Sequence, residues 1–92
     1  MYVILVYDIV LDETGQRTWR KIFTISKRYL HHIQNSVFEG ELTAAQILGL
    51  QKELQQWIRK DRDSVLLFKS REARWLKKEF WGKTDDLTSP FL

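Results

Sequence analysis

Met1-Tyr2-Val3-Ile4-Leu5-Val6-Tyr7-Asp8-Ile9 opens the chain as an apolar run broken by one carboxylate near its end, and its reading decides the fold. A run this short, rich in Val, Ile, Leu and Tyr and followed by loop residues, predicts a strand buried on both faces, central in its sheet. Side chains alternate along a strand, so Tyr2, Ile4, Val6 and Asp8 share one face while Val3, Leu5, Tyr7 and Ile9 share the other. Asp8 therefore emerges at the strand's C-terminal end. A buried unpaired charge is costly, so this carboxylate needs donors, a metal or water at the sheet rim.

Working outward, Val10 to Gln16 carries Asp12, Glu13, Thr14 and Gly15, which predicts a mobile loop. From Arg17 to Leu30 the apolar residues Trp19, Ile22, Phe23, Tyr29 and Leu30, with Ser26, recur at helical spacing. Between Gln16 and His32 stand Arg17, Arg20, Lys21, Lys27 and Arg28, with no acid among them. Solvated helices usually mix signs, so a single-sign face points to an anionic partner; the plainer alternative is a soluble surface.

His32-Ile33-Gln34 and Val37 to Leu42 read as a tight hairpin turning at Asn35-Ser36, although the turn lacks the usual glycine. Thr43 and Gln46 have the form of a capping box for a helix reaching about Lys60, with Ile47, Leu50, Leu54, Trp57 and Ile58 as its apolar stripe. Lys60 to Asp63 is a polar turn, and Ser64 to Lys69 is a second apolar strand expected beside the first. Strand, helix, hairpin, helix, strand is the split βαβ order of the α+β ferredoxin-like sandwich: a four-stranded antiparallel sheet with two helices on one face.

The opposite sheet face is too apolar to meet water. A stacked sheet from a second copy would cover it, which predicts a homodimer. Residues 1–70 form the expected core. Residues 71–92 form a segment expected to contact the dimer partner, with Arg74 to Gly82 as a further strand or short helix and Phe91 and Leu92 able to dock.

Composition narrows the function classes. The chain has 92 residues, 43% apolar and 13% aromatic, with four tryptophans and a net charge of +3. The absence of cysteine excludes a disulfide framework and any thiolate metal site, and suits a reducing cytoplasm. No apolar run reaches the roughly 18 residues of a membrane span, so no membrane partner is expected. Adjacent His31 and His32 point to opposite strand faces and cannot chelate one ion together. Ser36 has no base beside it in sequence, which argues against nucleophilic catalysis.

Asp8 remains the candidate, because two-fold symmetry would double it. Paired Asp8 carboxylates repel unless a cation lies between them, and a hard ion such as Mg²⁺ relieves that repulsion and can activate water against a phosphodiester. The alternative is that Asp8 caps the following loop by accepting backbone N–H groups.

The strings Y-V-I-L-V-Y-D-I, R-x-x-R-K, R-Y-L-H-H-I-Q-N-S-V-F-E-G-E-L and D-S-V-L-L-F-K, in this order, resemble the CRISPR-associated Cas-two (Cas2) family over essentially the whole chain. The resemblance implies a ferredoxin-like homodimer with facing sheets and a C-terminal strand that crosses to its partner. It further implies a metal-dependent endonuclease acting on RNA or DNA with Mg²⁺ or Mn²⁺, and a central dimer that acts with the Cas-one (Cas1) integrase to insert new spacers. The metal-binding, catalytic carboxylate matches Asp8, and Tyr7, Arg20, Ser36 and Phe38 match supporting positions. His32 stands where the family commonly has an arginine, and the loop before the first helix is longer than usual. Two roles follow. In one, paired Asp8 residues cut a phosphodiester while Arg17, Arg20 and Lys21 hold the backbone; in the other, the basic surface grips duplex DNA as a scaffold, which is favoured because one carboxylate per chain is sparse for nuclease chemistry. The alternative from another class is a non-catalytic ferredoxin-like RNA-binding module, which needs exposed aromatics on a sheet face read as mostly Ile, Val and Leu.

Overall fold

The computed structural model describes residues 1–72 and 76–82. Its elements are β1 (Tyr2–Asp8), α1 (Gly15–Tyr29), β2 (His31–Gln34), β3 (Val37–Glu41), α2 (Ala44–Gln55) and β4 (Ser64–Ser70). The four strands form one sheet in the order β2-β3-β1-β4, and every pairing is antiparallel. This is the expected ferredoxin-like sandwich, with the opening strand central and β4 beside it at the sheet edge.

Alternation along β1 sorts the layers. Val3, Leu5 and Tyr7 are buried against the helices and pack with Ile22, Ile25, Phe38, Leu50 and Leu54. Tyr2, Ile4 and Val6 on the other face are only half-buried, so β1 is fully covered on one side rather than on two. The register carries that second face onto its neighbours: Ile4 lies opposite Glu39 on β3 and Phe68 on β4, and Val6 opposite Val37 and Leu66. Phe68 is 57% exposed and Leu66 52%, an unusually open position for two large apolar side chains.

Local chemistry explains most element boundaries. α1 starts two residues before the expected Arg17, because Gly15 lets the chain pass close to Val10: a Cβ on Gly15 would stand 2.1 Å from the Val10 carbonyl oxygen. The hairpin turns at Asn35, whose φ of 42° is the described residues' one positive value outside glycine, a conformation Asn tolerates. In α2 the capping box forms as expected: the Gln46 N–H donates to Thr43 Oγ1 at 3.1 Å and the Thr43 N–H to Gln46 Oε1 at 2.8 Å.

α2 ends at Gln55, five residues short of the expected Lys60. The reason is a competing turn. The Arg59 N–H donates to Asp63 Oδ2 at 2.9 Å, and the Arg62 and Asp63 amides return to the Arg59 carbonyl, so the chain reverses instead of continuing. Trp57 and Ile58 still pack on the core from this turn.

Beyond Ser70, residues 76–82 take neither helix nor strand form within the single chain; the strand expected over Arg74 to Gly82 pairs with a second copy's sheet and would form only across that interface. Arg74 and Trp75, and the Phe91 and Leu92 docking expectation, lie outside the described residues. Lys78 reaches the open sheet face, where it donates to Glu39; Tyr2 Oη donates to the same carboxylate, which is only 6% exposed. Among the described residues no helix is long and apolar enough to cross a membrane.

Candidate functional site

Asp8 ends β1 opposite Ser64 of β4, on the open sheet face. It is exposed, and no hydrogen bond or ion pair reaches it among the described residues. It does not cap the following loop. That work falls to Asp12 and Asp63, which sequence reading passed over. Asp12 Oδ1 accepts from the Thr14 N–H at 3.2 Å, and Asp63 Oδ1 from the Val10 N–H at 3.1 Å.

Arg59 locks these two acids together. Its guanidinium contacts Asp12, donates to both Asp63 oxygens at 2.9 Å, and reaches the Val10 carbonyl at 2.6 Å, while Arg62 adds a 2.6 Å contact to Asp12. The loop expected to be mobile is thus pinned. The Arg59 hydrogen bond holds the Asp12 carboxyl down at about 2, with Arg62 contributing. Burial alone would raise Asp63, yet the Arg59 side-chain and backbone bonds outweigh it and hold that carboxyl low. Of the three aspartates Asp8, Asp12 and Asp63, only Asp8 has no side-chain partner among the described residues.

The five basic residues of α1 have unequal surroundings. All are exposed, but Arg28 donates to Glu53 Oε1 of α2 at 2.8 Å, so the expected nucleic-acid contact there is already countered by an acid of the same molecule. Glu53 is held low, chiefly by the Tyr29 hydroxyl donating to it and then by Arg28. Arg17 and Lys21 lie over the Trp57 ring at 5.4 and 5.1 Å, and Lys27 over Phe23 at 5.8 Å. Arg17, Arg20, Lys21 and Lys27 have no acidic partner among the described residues. The N-terminus of α1 adds to this field, because its first turn holds no acid and Thr14 supplies no side-chain cap.

The remaining expected positions are interior or peripheral. Phe38 is 0% exposed and belongs to the core, where Tyr7 stacks on it at 6.1 Å. Tyr7 is also interior, on the opposite face of β1 from Asp8 as the alternation along the strand predicts. Burial pushes the Tyr7 phenol up to about 12, against a smaller lowering by the nearby Ser36 side chain, so it stays protonated at neutral pH; among the described residues its hydroxyl has no partner at full hydrogen-bonding distance. Ser36 sits half-buried in the hairpin turn, touching β1 through its carbonyl, which accepts from the Tyr7 N–H at 3.2 Å. His31 and His32 do point to opposite faces: His31 lies opposite Glu39 and His32 opposite Phe38. His32 packs on Phe23 and Phe38 at 5.0 Å, with Nε2 2.8 Å from the Asn35 carbonyl oxygen, a turn-supporting role.

Among the described residues no three His, Cys, Asp or Glu side chains stand close enough to hold a metal ion. At the end of β1 one chain offers a single carboxylate, Asp8. A Mg²⁺ or Mn²⁺ ion, which keeps several waters and needs few carboxylates, fits Asp8 when a second copy adds its own.

The fold and surface define a small ferredoxin-like α+β protein with a basic helix on one layer and a bare strand-end carboxylate on an open apolar sheet. The chain belongs to the family described as CRISPR associated protein Cas2, whose profile it matches over residues 1–78. It is 60% identical over 92 residues to the CRISPR-associated endoribonuclease Cas2 of Fusobacterium nucleatum, covering 100% of this chain and 87% of that protein. A crystal structure of cas2 superposes with a TM-score of 0.80 at 34% identity, covering 94% of this chain and 91% of the other. Streptococcus pyogenes Cas2 at pH 6.5 superposes with a TM-score of 0.75 at 25% identity, over 87% of this chain and 100% of that one.

Proposed function

We propose that this protein is a metal-dependent endoribonuclease that works as a homodimer. The carrying observation is Asp8: an exposed carboxylate without a partner, at the end of the central strand, on the sheet face that is left apolar and open. Two such faces stacked about a two-fold axis bury Ile4, Val6, Leu66 and Phe68 and bring a pair of Asp8 carboxylates to the shared seam. Lys78 lies beside this seam, and in this reading the residues from 71 onward contact the partner. When bound, Mg²⁺ or Mn²⁺ supplies a counter-charge for the phosphate and activation of water. The chain's own residues do the rest: Asp8 holds the cation's position, and Arg17, Arg20 and Lys21 orient the phosphate backbone from the helix layer. The RNA substrate is supported by the Fusobacterium relative's description as an endoribonuclease.

A second role is favoured by the sparse donor set of one carboxylate per chain. In it the dimer is a scaffold that holds duplex DNA by its phosphates and joins the Cas1 integrase in inserting spacers, in a prokaryotic cytoplasm. Asp8→Asn separates the two. The variant is expected to keep its Tm, since Asp8 supports nothing in the fold, and to lose RNA cleavage in Mg²⁺ or Mn²⁺ by at least roughly 100-fold. Retained spacer acquisition beside lost cleavage assigns Asp8 to hydrolysis and the basic surface to scaffolding. Undiminished cleavage removes Asp8 from the chemistry.

A further inference from the structure

A cleft of about 270 Å³ opens at the start of α1, lined by Leu11, Gln16, Trp19 and Arg20. Its size lies just below the roughly 300–1,000 Å³ typical of drug-sized ligand sites, which suits one planar ring system. Trp19 is its wall. One side of the indole stacks on Phe23 at 5.0 Å and 19°, and its position is fixed further by an edge contact with Tyr7 at 6.4 Å. An aromatic held this way is a stacking platform that loses little freedom when a ring lands on it.

Leu11 also lines the cleft, and its exposure needs a reason. It is 66% exposed, next to Val10 at 46%, yet the loop that carries it is not free to fold the side chain away. Val10 is tied at both its N–H and its carbonyl, and Asp12 is clasped by Arg59 and Arg62. The fold thus holds the backbone beneath a bare leucine in place beside a tryptophan in the same cleft. Gln16 supplies an amide that both donates and accepts, as the edge of a heterocycle requires. Arg20, without an acidic partner among the described residues, supplies the charge for an adjoining phosphate.

The geometry points to a binding site for one unpaired nucleobase of a single-stranded RNA, stacked between Trp19 and Leu11 with its 5′ or 3′ phosphate on Arg20. The site lies on the helix layer, three residues past Asp8 in the chain, so it stays open when a second copy covers the other sheet face. It deepens the nuclease reading and rests on it: a base seated here registers the strand along the basic helix toward the carboxylate. Duplex RNA cannot use it, because its bases are stacked and paired.

The test measures binding of the full-length protein to a short fluorescent single-stranded RNA, to the same RNA with one abasic nucleotide walked along it, and to its duplex. Leu11→Ser, at an exposed position, is the main variant; Trp19→Leu is the second, with its Tm recorded because Trp19 also packs on the core. Leu11→Ser is expected to weaken single-strand binding roughly three- to tenfold and to leave duplex binding unchanged. One abasic position is expected to cost wild type a similar factor and to cost the variant nothing further, since both changes remove the same contact. Losses that simply add, equal losses on duplex, or no loss at all overturn the cleft as a base site. If that happens while RNA cleavage still depends on Asp8, the nuclease reading survives alone; if wild type shows no salt-sensitive RNA binding, both fall.

Discussion

At the scale of single residues, three acids close in sequence or space part company. Asp8, Asp12 and Asp63 are all aspartates beside the C-terminal end of β1 or the loop it feeds, but only the last two find Arg59. Their folded-state carboxyls lie below the ordinary unfolded value of about 3.9, so they add stability that is complete above that pH. That contribution is lost as acid takes the solution from about pH 4 down through the folded Asp12 value of about 2 and the lowered Asp63 carboxyl. Thermal unfolding followed from pH 6 to pH 2 is expected to show Tm falling most steeply in that window, and Asp12→Asn to flatten the fall. An unchanged slope in the variant would mean that the clasp contributes nothing to acid stability. Tyr7 makes a second residue-scale case. Its buried hydroxyl lacks a partner, a burden that Phe does not carry. Tyr7→Phe is expected to raise Tm by roughly 4 °C and leave RNA cleavage intact. A more stable but inactive variant would instead give the hydroxyl a part in the reaction.

At the scale of elements, α1 shows how tertiary contacts edit a sequence pattern. Its five cations read as one face, but α2 contributes Glu53 against Arg28, and the turn after α2 sets Trp57 beneath Arg17 and Lys21. The Arg28 pair is surface-exposed and weak in stability terms, yet it suffices to occupy the charge. The salt dependence of single-strand binding distinguishes the cations. Arg20→Gln is expected to reduce the slope of log K against log salt by about 0.7, as loss of one phosphate contact does, while Arg28→Gln leaves the slope unchanged. Equal effects from both would show that Glu53 yields Arg28 to the nucleic acid. Helix α2 carries the complementary lesson. Its start was legible because a capping box is local, Thr43 to Gln46, whereas its end was set by the Arg59–Asp63 turn and the acid at Asp12, 47 residues away.

At the scale of the whole molecule, the unpaired sheet face is the feature that asks for a partner. Ile4, Val6, Leu66 and Phe68 form an apolar patch bordered by the Tyr2–Glu39–Lys78 cluster. The face holds two aromatics, Tyr2 and Phe68, where mostly aliphatic residues were expected. Tyr2 is tied through its hydroxyl to Glu39, which leaves one free ring and weakens the case for a base-stacking sheet of the kind a single-strand RNA-binding module uses. Phe68→Lys places a charge at the centre of the proposed contact. Sedimentation is expected to find wild type as a dimer and the variant as a monomer of near-native Tm without cleavage activity. A variant that remains dimeric would move the interface elsewhere.

By itself the sequence determined the elements, their order and the sheet they build, because apolar periods, a capping box and an Asn turn act over a few residues and leave few topologies open. It also marked Asp8 and the acid-free helix, since both are visible as the position of a charge against an apolar pattern. The tertiary structure alone decided which carboxylate stays bare, which cation is already answered, and that the Leu11 loop is fixed rather than mobile. Those outcomes depend on Arg59 meeting Asp12 and on Glu53 meeting Arg28, pairs 47 and 25 residues apart. Charges so distant along the chain choose partners only after burial of the core has set which surfaces face each other.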